Sequence, residues 1–367
     1  MPRLPRTELR ALCAALLTAA GLAPDRADAA AEAAVYADTR GIGTHGLHAL
    51  VTMYVPWVRS GRVDAAAETA VVSRKGATAV IDGGDGLGPV VMTEAADLAG
   101  ALAAENGVGL VAVNRSTHFG AAGYYAHRLA RRGMVGIAMT NCGEQGVIPP
   151  LGGSRRLMGT NPLAAAVPAG PAPTFVLDMS TTVVATGKVN QARRDGAAVP
   201  QGWLLDTHGN DVTDPGAYGE GTADVPWLGG RLATGAAKGY GLGLLVDLLC
   251  GPLAGAGFGP RREALEADGP SEDRDVGHVC IAVDPAFLGD RDRIADRSAE
   301  LLQTVADSPT AAWADRVTYP GAPEAANAEA AERDGVPIAG KTAAAAAELA
   351  AELGVAVPPA FAERTTR

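Results

Sequence analysis

The chain has 367 residues, 47% of them hydrophobic and 20% charged, which is ample for a large buried core and argues against wholesale disorder. Its 31 Lys and Arg against 41 Asp and Glu give a net charge of −10, and only 4% of residues are aromatic. That balance excludes a general phosphate-backbone binder and a stacking platform for single strands as first readings.

Residues 7–21 and 25–38 read as two helices broken at Gly21–Pro24. The apolar stretch 9–23 raises a signal peptide, but Glu8 interrupts its start and an Ala-rich amphipathic helix follows, so a helix is expected. Glycines cluster over 41–46, residues 47–60 look helical, and Gly61 sits where a helix would stop. From 68 the period changes. Strands are expected over 69–74 and 78–82, a turn over 83–88, and an amphipathic helix over 90–106 closed by Gly107. A strand over 109–114, a helix over 121–132 and strands over 135–141, 163–167 and 174–178 follow, with a helix beginning at Ser180.

Residues 196–235, rich in Gly, Pro and Asp, read as loop, and 238–249 as a buried helix. The apolar run 239–259 holds Asp247 at its centre, which disfavours a membrane span. Residues 259–274 read as exposed, 279–283 as a strand, 290–307 as an exposed helix, and 324–334 and 341–353 as surface helices. The last ten or so residues read as a loose tail. Cys13, Cys142, Cys250 and Cys280 form no CxxC pair, so a reducing cytoplasm fits better than a disulfide scaffold.

Gly41-Ile42-Gly43-Thr44-His45-Gly46 matches GxGxxG to the letter, but a helix precedes it where the dinucleotide fingerprint needs a strand. Within it, Thr44-His45 offers a group that titrates near neutrality in a turn a substrate can approach; a plain turn histidine explains it equally well. Ser116-Thr117-His118-Phe119-Gly120 follows a strand, where α/β proteins place ligands. Asp178-Met179-Ser180-Thr181-Thr182 closes a strand; its hydroxyls suit an ordinary helix cap or a phosphate site. Thr140-Asn141-Cys142 and Thr160-Asn161-Pro162 are further polar turns, and the three together suggest a ligand cleft. His48, His127, His208 and His278 have no partner at ligand spacing, so no metal site is expected.

These motifs, with Arg40-Gly41, Tyr124-Tyr125, Pro149 to Gly153, Met158 to Leu163, Gly187-Lys188, Pro200 to Trp203, Thr213 to Pro215, Lys238 to Leu242 and Tyr319 to Gly321, occur in an order that resembles the malate/L-lactate dehydrogenase family of the second type. The resemblance implies a non-Rossmann α/β (α+β) fold, like that of L-sulfolactate dehydrogenase, with a mostly antiparallel cofactor-binding sheet. A helical lobe would come from both chain ends, 1–115 plus 315–367, beside an NAD(P)-binding lobe over 116–314. It also implies a homodimer, with no nucleic-acid or membrane partner.

Carried across residue by residue, His45 matches the family's proton donor, Thr44 its hydroxyl neighbour, and His118 a second active-site histidine. Asn141, Cys142, Thr160, Asp178, Met179, Ser180, Thr181, Lys188, Lys238, His278 and Gly321 fall on or beside cofactor motifs. Substrate contact is expected at His48 and Ala49. There the chain departs from the family, which carries an arginine where this sequence has Ala49. Alanine has neither charge nor donor for a carboxylate, so small carboxylates are expected to be poor substrates.

The resulting expectation is an NAD(P)H-dependent reductase of a 2-oxo acid or cyclic imine acid. The alternatives are oxidation of a 2-hydroxy acid and a catalytically silent nucleotide binder. The sequence leaves NAD and NADP open: Arg155, Arg156, Lys188, Arg193 and Arg194 could receive a 2′-phosphate, and for any single one a solvated charge is the favoured reading.

Overall fold

The computed structural model describes residues 1–266 and 274–362. A seven-stranded sheet crosses it in the order Ala70–Lys75, Thr78–Asp82, Val108–Ser116, Val276–Val283, Val135–Thr140, Leu163–Val167, Phe175–Met179. Every neighbouring pair is antiparallel except Thr78–Asp82 with Val108–Ser116. That one parallel step is made by the crossover helix Gly88–Asn106, as a parallel connection requires. Strand periodicity divides the core. Val111 and Val113 pack under helices Gly88–Asn106 and Ala122–Ala130, while Ala112 between them faces helix Ala236–Leu248 and its π-helical continuation Leu249–Leu253. Gly109 allows the strand to press on the crossover helix: a Cβ there would lie 2.1 Å from the Ala99 carbonyl oxygen.

The helical lobe is a separate apolar cluster built from both chain ends. Leu9 and Leu16 of helix Arg6–Ala19 and Ala30 and Ala34 of Pro24–Thr39 meet Ala346 and Ala350 of Gly340–Leu353. The apolar run near the N-terminus therefore serves a core. A two-stranded ladder, Arg3–Leu4 with Val336–Pro337, joins the ends directly. The helix expected over 47–60 is present but changes pitch: Leu47–Ala49 and Val55–Arg59 flank a π-helical turn, Leu50–Tyr54.

Several expectations need correction. No helix begins at Ser180; the next one is Thr186–Asp195. The Thr181 hydroxyl donates to the Thr160 carbonyl at 2.9 Å and that of Thr182 to Val184 at 2.8 Å, side-chain bonds that compete with a helical backbone. Residues 196–235 are not simply loop. Leu204–Asp206, Asp211–Val212 and Ala223–Asp224 form a three-stranded sheet, with helix Gly216–Glu220 beside it. Strands of two and three residues are too short to leave a period in the sequence. Helix Ala236–Leu248 is only half buried, with Leu245 50% and Leu248 52% exposed.

The division expected at 115/116 meets no break in the sheet, since strands from both sides of it are neighbours there. Of the exposed stretch over 259–274, Arg262–Glu266 is a short helix and 267–273 lie outside the described residues. Of the tail, Pro359–Ala362 is helical with Phe361 in the core, and 363–367 lie outside them. Among the described residues no helix is long and apolar enough to cross a membrane.

Candidate active site

Two loops carry the candidate catalytic histidines. The first leaves helix Pro24–Thr39 and folds straight back on it. Asp38, 8% exposed in the last helical turn, accepts the Leu47 backbone N–H at 2.7 Å. Gly46 sits against that carboxyl so closely that a Cβ would lie 2.1 Å from it. The loop between them, which presents Thr44 and His45, is thus clamped at both ends. Burial pushes the Asp38 carboxyl up to about 7. Gly46→Ala is expected to destabilise the protein by about 1–3 kcal/mol through overpacking and to slow turnover with it; chemical unfolding and steady-state rates check this, and an unchanged midpoint refutes it.

The second loop follows strand Val108–Ser116. Its His118 Nδ1 accepts the Gly120 backbone N–H at 3.3 Å and lies 2.9 Å from the Tyr54 hydroxyl. Because Nδ1 accepts from an N–H, Tyr54 donates to it, and the proton of the neutral ring sits on Nε2. His45 stacks on His118 with centroids 5.5 Å apart and planes at 22°, and the Thr44 hydroxyl is 2.8 Å from His45 Nδ1. Burial, with His48 adding to it, pulls His45 down to about 4. Burial, then His45 and His278, pulls His118 down to about 3. Both rings are neutral at pH 7.

The pair stands in the wall of a cavity of about 1350 Å³ that the edge strand Phe175–Met179 and residues of the helical lobe both line. Thr44, His45, His48 and His118 line it, as do Cys142, Thr160, Asp178, Met179 and Ser180; Lys188 and Gly321 also border it. Asp178 Oδ2 accepts the Gly123 N–H at 2.8 Å and the carboxyl opens on the cavity, where surrounding protein pushes it up to about 6. Gly321, at φ 97°, lets the chain turn against strand Phe175–Met179: a Cβ would be 2.5 Å from the Thr174 carbonyl oxygen.

Five expected residues stand differently. Asn141 borders the cavity, but its amide is committed to Asp247, Gly257, Gly143 and Gly277. Thr181 is fully buried on the Thr160 carbonyl. Lys238 is exposed on helix Ala236–Leu248, away from the cavity. Ala49, 1% exposed, packs in the helical core. His278 is fully buried, its Nδ1 and Nε2 each 2.8 Å from the hydroxyls of Thr140 and Ser116, and it stacks on Phe119 at 4.8 Å. It is a support beneath His118 and touches no ligand space.

Sequence reasoning missed the roles of Tyr54 and Asp38. Tyr54 reads as one more apolar residue of its helix. Asp38 had a signal: it is an acid on a helical face otherwise made of Ala34, Val35 and Ala37.

The cavity of about 1350 Å³ exceeds the usual ligand pocket of about 300–1,000 Å³, room enough for a dinucleotide with a small acid beside it. Asp178 offers an acceptor for ribose hydroxyls and Lys188 a cation for phosphate, so the donor set fits NAD or NADP. A malate/L-lactate dehydrogenase family model matches residues 4–346. The chain belongs to that family. As a malate/L-lactate dehydrogenase-type protein it is an NAD(P)-dependent oxidoreductase with this family's non-Rossmann fold. It is 33% identical over 353 residues to the malate dehydrogenase of Pyrococcus horikoshii, covering 96% of each chain. To the NADP-named (2R)-3-sulfolactate dehydrogenase of Chromohalobacter salexigens it is 37% identical over 286 residues, covering 77% of this chain and 81% of that one. The malate dehydrogenase structure from Entamoeba histolytica superposes with a TM-score of 0.89 at 27% identity, covering 97% of this chain and 99% of that one.

Proposed function

We propose that the protein reduces a 2-oxo acid or cyclic imine acid, with His45 giving the proton to the developing alkoxide or amine. The observation that carries this is the stacked His45–His118 pair in the wall of a cavity large enough for cofactor and substrate together. The bound dinucleotide supplies the hydride. This chain's residues do the rest. Thr44 fixes the His45 ring through Nδ1. Tyr54 and the Gly120 N–H fix the His118 tautomer, so that its Nε2–H can hold the substrate oxygen or nitrogen.

The reverse reaction, oxidation of a 2-hydroxy acid, has its own support. A His45 that is neutral at pH 7 is ready to take a hydroxyl proton. The relatives named for malate and sulfolactate favour a hydroxy acid of similar size. A screen of 2-oxo acids, cyclic imines and 2-hydroxy acids with NADH, NADPH and their oxidised forms tests the proposal. Absence of turnover together with tight cofactor binding would leave the silent nucleotide binder instead.

We also propose a cytoplasmic homodimer. Leu245, Leu248 and Leu253, each half exposed or more on the outer helix, supply an apolar face for a second copy. Light scattering is expected to give twice the 37.1 kDa chain mass, and a stable, active monomer would refute it.

A further inference from the structure

With Ala49 in the helical core, the half of the cavity near His45 receives no arginine from the helix that follows His45. A carboxylate brought into that space without a cationic donor would be costly to desolvate. A second helix bordering the cavity supplies one. Helix Thr186–Asp195 turns Val189 and Ala192 into the small-sheet core and lines the cavity with Lys188, Gln191 and Arg194 at three-residue spacing. Its first turn touches the proton-transfer loop: a Cβ on Gly187 would meet Thr44 Cβ and Cγ2 at 3.6 Å. Its last turn is tied to the helical lobe, where Lys341 Nζ donates to the Arg194 carbonyl at 2.6 Å and reaches Asp195 Oδ1 at 3.4 Å. Both ends of the helix are therefore held against the same cavity.

Other arginines the sequence offered are committed elsewhere. Arg156 bonds Asp224 at 2.6 Å and lies over the Tyr218 ring at 4.4 Å, outside the cavity. Arg155 bonds the Leu265 carbonyl. Arg40 borders the cavity but lies over the Tyr36 ring at 3.9 Å, beside His127. Among the described residues no carboxylate pairs with the Arg194 guanidinium, and its positive field reaches His48 beside the histidine pair.

We propose that Arg194 is the residue that grips the substrate carboxylate, with Gln191 one turn before it as a second donor. The planar fork of arginine matches a carboxylate in two parallel bonds, which fixes the acid's orientation as well as its charge. Specificity for the acid then resides in helix Thr186–Asp195 and not in the helix after His45. The inference rests on the 2-oxo-acid reading above.

The test measures steady-state kinetics of wild type, Arg194→Gln and Arg194→Lys with the best 2-oxo acid from the screen. Alongside it, calorimetry measures oxalate binding to each protein saturated with reduced cofactor. Arg194→Gln is expected to raise KM and the oxalate Kd by about 10- to 150-fold, as loss of a charge-assisted bond implies, with kcat changed far less. Arg194→Lys should recover part of the loss. Affinity for reduced cofactor and thermal stability should stay unchanged, since the side chain is exposed on the cavity face. Unchanged KM and oxalate affinity would overturn the proposal. So would a variant that loses NADPH affinity selectively, which would make Arg194 a 2′-phosphate contact. If wild type turns over no 2-oxo acid, the functional reading fails by itself, and the oxalate measurement still decides whether Arg194 holds a carboxylate.

Discussion

Replacing His45 with alanine is expected to lower kcat by about 100-fold or more, as removal of a positioned general acid does, while the Kd for reduced cofactor is expected to stay as in wild type. The ring is held by the Thr44 hydroxyl at 2.8 Å and by stacking on His118, so its loss would remove the proposed proton path and leave Asp178 and Lys188 in place. The sign of the pH dependence follows from its depressed pKa of about 4. If His45 carries the proton as proposed, oxidation needs it neutral, and its rate is expected to be full at neutral pH and lost as pH falls through that value. Reduction would need the protonated ring, and its rate is expected to climb as pH falls towards the same value. Stopped-flow turnover with each cofactor form checks both. Full turnover in His45→Ala, with loss in His118→Ala, would transfer the proton to His118.

The protein is expected to lose stability as pH drops from about 6.5 towards 4, by about 3 kcal/mol per pH unit near pH 5. His45 and His127 are held down at about 4, and His118 and His278 at about 3, in each case chiefly by burial. Unfolded histidine protonates near 6.5, so below that value the unfolded chain gains four protons that the native state refuses. His48, lowered by burial and then by Arg194, adds a fifth histidine in the same sense. Three carboxyls act in the opposite sense. Asp38, raised to about 7, Asp178, raised to about 6, and Asp247, also raised by burial, hold protons in the native state that the unfolded chain releases. Five against three leaves an excess of about two protons bound on unfolding, and the histidines decide the direction. Urea unfolding at a series of pH values measures the slope. A flat or rising stability between about pH 6 and pH 5 would contradict the burial of these rings.

The long elements of the fold were legible because they are periodic. The strand over 78–82 and the strand over 163–167 fall where alternation places them, and the crossover helix ends at Gly107 as expected. Order within the sheet was not legible. Val276–Val283 inserts between Val108–Ser116 and Val135–Thr140, far from either in sequence, and no local pattern specifies that pairing. In the site, His45 and His118 were legible from glycine-rich turns at the ends of elements. The commitment of His278 to two hydroxyls was not, because a buried support and a ligand contact look alike in one dimension. Ala49 was singled out through a family motif, and its burial emerges only from packing.

The ladder between Arg3–Leu4 and Val336–Pro337 bears on when this enzyme comes into being. Synthesis at about 5–20 residues per second separates the two strands by roughly 15–70 seconds on the ribosome. Throughout that interval the first two helices exist without Ala346 and Ala350, the small residues that close their apolar side. The core around those helices therefore stays incomplete until the strand at 336–337 and helix Gly340–Leu353 have been made. His45 and residues 337–342 border one cavity, so the candidate site is complete only once that late segment has been made.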